Sequence, residues 1–106
     1  MEEHLIKYGD RMQYKLEKNA HKACPKMNPE GKGVRGWDNC GQRWLLKRAQ
    51  QELIEAEEAL YKAMTEPSVE NTVAYLNELA DVGNFCAMAH DNFEGAYMPF
   101  DKERKG

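Results

Sequence analysis

The chain has 106 residues, room for one small domain with a single core. Hydrophobic residues make up 42% and charged residues 31%, the balance of a globular chain and not of a disordered one. Lys and Arg count 15 against 18 Asp and Glu, and the formal net charge of −3 argues against the basic surface that nucleic acid or an anionic membrane requires. No apolar run approaches the ~20 residues of a membrane span. Met1-Glu2-Glu3-His4 is too polar to open a secretory signal.

Cys24, Cys40 and Cys86 form no CxxC pair. An odd count in a short chain is a poor disulfide framework, so the expected compartment is reducing and cytoplasmic. His21, Cys24 and Cys40 offer three zinc ligands without a fourth, and read better as unligated side chains in and beside a loop.

The first element is an amphipathic helix from about Glu3 to Ala23, with Leu5, Tyr8, Met12, Leu16 and Ala20 at helical spacing and Gly9 as a mild weakness. Residues 24–41 then lose all periodicity. Pro25, Pro29, Gly31, Gly33, Gly36 and Gly41 punctuate a long loop that carries Lys26, Lys32, Arg35 and Trp37. A second helix follows from about Asp38 or Gln42 to Met64, with Asp38 and Asn39 as plausible caps. Its broad apolar face is Leu45, Leu46, Ala49, Leu53, Ala56, Leu60 and Ala63.

Glu66-Pro67-Ser68 ends that helix, and Ser68 is placed to cap the next. The third helix spans about Val69 to Asn92. Between Thr72 and Ala89 its only charged residues are Glu78 and Asp81, so it is expected to be buried on most sides. A short charged tail, Asp101 to Gly106, closes the chain. The fold class is therefore all-α, a bundle of about three main helices. One chain supplies too little cover for the third helix, so a second copy is expected to complete the bundle.

Two acid pairs stand at i, i+3: Glu52 with Glu55 on the second helix, and Glu78 with Asp81 on the third. Each pair lies on one side of its helix, one turn apart. Between Lys62 and Lys102 there is no Lys or Arg to neutralise the second pair. Carboxylates inside a packed bundle need a positive partner. A hard divalent cation with oxygen ligands answers that need, Mg²⁺ first and Mn²⁺ as a substitute. The bland alternatives are a solvated face for Glu52 and Glu55, with Arg48 pairing to Glu52, and an interhelical ion pair from Lys47, Arg48, Lys18 or Lys22 to the second pair. A di-iron bundle is disfavoured, because no His follows an acid at Glu-x-x-His spacing. The P-loop, dinucleotide and hydrolase-elbow motifs are absent.

Glu52-Leu-Ile-Glu55 followed by Glu78-Leu-Ala-Asp81 resembles the ExxE…ExxD signature of the MazG-like all-α nucleoside triphosphate pyrophosphohydrolases. Trp44-Leu-Leu-Lys-Arg48 is similar to the residues that open the family's first motif helix. The run from Glu78 through Asp-Val-Gly-Asn-Phe to Asn92 closely resembles the acidic helix of its small members. His21-Lys22 and Gly36-Trp37 match a short family element that is interrupted here by residues 23–35. The resemblance covers roughly His21 to Asn92. It implies Mg²⁺-dependent hydrolysis of an NTP or dNTP to monophosphate and pyrophosphate, in a homodimer or dimer of dimers.

The residues agree with that chemistry. Glu52, Glu55, Glu78 and Asp81 would hold the cation, and Glu55 is the positional choice for the base that accepts a proton from water. Asn84 extends the row of Asp81 towards sugar or phosphate. Lys22, Lys47, Arg48 and Arg35 are the candidate phosphate cations, and Trp37 can stack on a base. Trp44, Phe85 and Met88 are read as packing residues. The competing readings are a helical interaction protein that keeps the fold without turnover, and a regulator that binds a nucleotide without cleaving it.

Overall fold

A computed structural model describes residues 1–19 and 40–97, with side chains described as far as Glu94. The helical periods become helices: α1 (Glu3–Lys18), α2 (Gln42–Thr65) and α3 (Val69–Tyr97), with no strand among the described residues. The predicted stretch of the first helix past Asn19, the capping residues Asp38 and Asn39, and the charged tail lie outside the described residues.

Local chemistry sets the ends. Glu3 sits in the first turn of α1, and Lys15 and Lys18 sit in its last, matching the helix dipole. Gly41 is the N-cap of α2 and supplies no side-chain bond. Pro67 follows the end of α2, and Ser68 caps α3 as expected: its Oγ accepts from the Asn71 backbone N–H at 3.0 Å. The Asn71 side chain donates to the Glu66 carbonyl at 2.7 Å and sews the turn shut. The third helix runs five residues beyond the expected Asn92, because no proline or cap stops it before Tyr97.

The short turn makes α2 and α3 an antiparallel hairpin. At its far end Gln42 donates to the Ala89 carbonyl at 2.9 Å, and Asn92 donates to the Cys40 carbonyl at 3.3 Å. Cys40, Leu45 and Ala89 form the buried core there, with Trp44, Phe85 and Met88 packed around them. Trp44 meets Phe85 edge to face at 6.2 Å, which matches the packing role expected for both. Towards the middle, the buried apolar positions are Ala49, Ala56 and Ala80.

Within one chain α3 keeps Val73, Ala74, Cys86 and Ala87 exposed, because among the described residues only α1 and α2 cover it. The expectation of a poor disulfide framework is corrected: Cys40 is disulfide-bonded, while Cys86 is free and exposed.

The α1 helix packs on α3, and none of its own residues is buried. Polar ties fasten it to α3. The Tyr8 hydroxyl donates to the Leu79 carbonyl, and Arg11 donates to Asn77 Oδ1 at 2.9 Å. Asn84 donates back to the Met12 carbonyl at 2.9 Å.

Candidate metal centre

The acid pairs predicted from i, i+3 spacing do meet, but as three and not four. Glu52 lies on the α3-facing side of α2, and its residue is 6% exposed. Glu55 follows one turn later and reaches the group from the solvent side. Glu78 comes from α3, half-buried. One carboxylate oxygen from each lies within 4.8 Å of the other two.

Three acids at this spacing cannot all be ionised cheaply. Burial, then the Glu55 and Glu78 carboxyls beside it, push Glu52 from 4.5 up to about 8. The Arg48 guanidinium, 2.7 Å from Glu52 Oε1, opposes that shift, but burial and the neighbouring acids win. Glu78 is also raised, first by burial. Its contact with Glu52 favours the ionised form, and the charges of Glu55 and Asp81 disfavour it. Glu78 Oε2 is buried and has no hydrogen-bond partner. Near neutral pH, the unaided protein thus satisfies the group by keeping a proton in it.

Asp81 goes elsewhere. Its Oδ2 lies 3.6 Å from Lys15 Nζ on α1, with the two side chains 18% and 14% exposed. Lys15 was not among the cations expected to reach the second pair. The signal for it was present on α1, where Tyr8, Arg11 and Lys15 recur at i, i+3, i+7 and so share one face.

The remaining expected site residues divide as follows. Arg48 is at the centre: it pairs with Glu52, donates to Gln51, and stacks with its guanidinium carbon 5.1 Å from the Phe85 ring centre. Asn84 is buried, and its amide is engaged with the Met12 carbonyl. Lys47 is exposed and points away from Glu52 on the α2 wheel. Lys22, Arg35 and Trp37 lie outside the described residues, as does the His21-x-x-Cys24 element.

The donor set fits a hard divalent cation. All three groups offer carboxylate oxygen, which suits Mg²⁺ or Mn²⁺ and not a thiophilic metal. Mg²⁺ ligands sit ~2.1 Å from the ion, so oxygens on opposite sides of it are ~4.2 Å apart. Three carboxylate oxygens gathered within 4.8 Å of one another are close enough to address one such ion. The buried, unpartnered Glu78 oxygen is the atom that such an ion would satisfy.

No helix is long and apolar enough to cross a membrane among the described residues. Comparisons with protein-family models, with curated proteins and with solved structures return no match.

Proposed function

We propose that the chain is a Mg²⁺-dependent nucleotide pyrophosphohydrolase that converts an NTP or dNTP to its monophosphate and pyrophosphate. The observation that carries this reading is the convergence of Glu52, Glu55 and Glu78 around an unpartnered buried oxygen. It is joined by the resemblance of both acidic motifs to the MazG-like pattern.

A bound Mg²⁺ would supply positive charge to the phosphate oxygens and acidify a water. Glu52 and Glu78 are the buried holders of that ion. Holding the ion would favour the ionised form of both carboxyls, so its binding would be coupled to proton release. Glu55 faces solvent, where it can meet the attacking water and accept its proton. Water attacks the α-phosphorus, the bond from that phosphorus to the bridging oxygen breaks, and pyrophosphate departs with the electron pair. Arg48 keeps Glu52 oriented from the same helix. Asp81 belongs to the resemblance as a fourth ligand, and in this structure its carboxylate faces Lys15.

The test is direct. Purified protein is incubated with a panel of NTPs and dNTPs plus Mg²⁺ or Mn²⁺, and pyrophosphate and monophosphate are quantified. Turnover that requires the cation supports the reading; none with any substrate removes it. The alternative is a helical interaction protein without turnover. It is favoured by the two protein cations, Lys15 and Arg48, already paired with Asp81 and Glu52. Absence of both turnover and nucleotide binding is the result that selects it. A cytoplasmic setting belongs to the enzymatic reading, with the disulfide at Cys40 as the observation that weighs against it.

A further inference from the structure

We infer that α1 is a latch on the acid centre: Lys15 holds Asp81 until a divalent cation entering among Glu52, Glu55 and Glu78 takes that carboxylate, and α1 then comes away from α3. The inference rests on the proposed metal centre and adds its control. It starts from how lightly α1 is seated. None of its residues is buried. Its polar ties to α3 are the Tyr8 hydroxyl on the Leu79 carbonyl, Arg11 on Asn77, Asn84 on the Met12 carbonyl, and the ion pair of Lys15 with Asp81. Of these, the Lys15 tie alone ends on an acid of the proposed centre.

Asp81 lies close enough to that centre to act on it. It follows Glu78 by three residues on α3, and its charge disfavours the ionised form of both Glu52 and Glu78. Its hold on Lys15 is loose: 3.6 Å from Oδ2 to Nζ, against the ~2.8 Å of a close charge-assisted bond. The Arg48 pair with Glu52, at 2.7 Å, is by contrast closed. A hard dication such as Mg²⁺ binds a carboxylate oxygen at ~2.1 Å. By charge and distance alone it attracts Asp81 roughly three times as strongly as an ammonium at 3.6 Å does.

Once Asp81 turns to the ion, the Lys15 side chain is left largely covered, 14% exposed, beside a like charge. Moving out to water relieves both the repulsion and the lost hydration. The helix can follow, since it has no residue anchored in the interior. A helix of 16 residues is marginal in water on its own, so a released α1 also frays. Docking of α1 and binding of the ion are therefore coupled, and the coupling is reciprocal: whatever weakens the seat of α1 tightens the ion. Tyr8 gives the cleanest handle, because its hydroxyl bonds a backbone carbonyl, that of Leu79, and Tyr8→Phe removes no charge.

Two measurements on the full chain test this without nucleotide. Hydrogen exchange in chelator and in about 10 mM Mg²⁺ should show the α1 amides exchanging about fivefold faster or more with the ion, while the α2 and α3 amides flanking the acids slow down. Mn²⁺ binding, read from the electron paramagnetic resonance of the free ion, should tighten about fivefold or more in Lys15→Gln and roughly twofold or more in Tyr8→Phe. Cation bound by the parent with α1 exchange unchanged or slowed overturns the latch and leaves the metal centre standing. Parent or weaker Mn²⁺ affinity in Tyr8→Phe does the same. A parent that binds no Mn²⁺ at about 1 mM removes the metal centre itself, and the latch with it.

Discussion

Lys15 and Asp81 meet across the contact between α1 and α3, Nζ to Oδ2 at 3.6 Å, with both side chains largely covered. This pair decides whether the acid group presents three carboxylates or four. Lys15→Met keeps the aliphatic stem and removes the charge. Without cation the variant should lose about 1–3 kcal/mol, because Asp81 is left partly buried without that partner beside other acids. With Mg²⁺ the loss should shrink, since Asp81 becomes available to the ion. Urea melts with and without 10 mM Mg²⁺ check both halves. Equal destabilisation in the two conditions would mean that Asp81 never joins the site.

The raised carboxyls set a pH dependence opposite to that of an ordinary surface acid. Glu52 binds its proton up to about pH 8 when folded, against 4.5 as its ordinary value. Between those limits the folded protein holds more protons than the unfolded one, so stability falls as pH rises. The contribution is fully present below pH 4.5 and is gone above about pH 8. Thermal melts in chelator from pH 5 to 8.5 should show this decline, and Glu52→Gln should flatten it. Cation reverses the trend, because the ion competes with the proton: the rise in Tm caused by Mg²⁺ should be larger at pH 8.5 than at pH 6.

Glu78→Gln keeps the shape of the side chain and removes the charge behind the unpartnered oxygen. It should abolish the stabilisation by Mg²⁺ and lower turnover more than ~100-fold, beyond the loss typical of a residue that only supports a ligand. Circular dichroism should remain helical. In chelator at pH 8 the variant should be as stable as the parent or more so, since one of the repelling acids is gone. Parent-level turnover would take Glu78 out of the site.

Two glycines on helices make contrasting predictions. A methyl added at Gly83 would run into the hydroxyl and ring end of Tyr8, so Gly83→Ala should cost about 1–3 kcal/mol and detach Tyr8 from the Leu79 carbonyl. Tyr8→Phe in the same chain should recover part of that loss. A methyl at Gly9 meets open space, and Gly9→Ala should stabilise by about 0.5–1 kcal/mol. Denaturant unfolding of the four chains measures each value.

The helices were legible because their cues are local. Ser68 sits where a cap must sit, Pro67 where a helix must stop, and the 3.6-residue period ran through the first two segments while the third was apolar on most sides. The pairing of Glu52 and Glu55 with Glu78 was legible for the same reason, once two consecutive helices were folded against each other. Asp81 was not, because its fate depends on α1, and nothing near it in sequence reveals that Lys15 arrives from 66 positions away. Asn84 shows the same limit: its row on α3 was correct, but its partner is a backbone carbonyl of a helix 72 positions earlier.

Ala49 and Ala56, buried on either side of Glu52, leave little more than methyl groups between the second and third helices where the acids gather. Single methyls therefore act as the spacer that sets the gauge of the site. Carboxylates on neighbouring rods can reach a common point only while that gauge stays narrow. The reach of Glu52 and Glu78 is thus fixed by residues with no chemistry of their own, and widening any one of them would unmake the centre while leaving every acid in place.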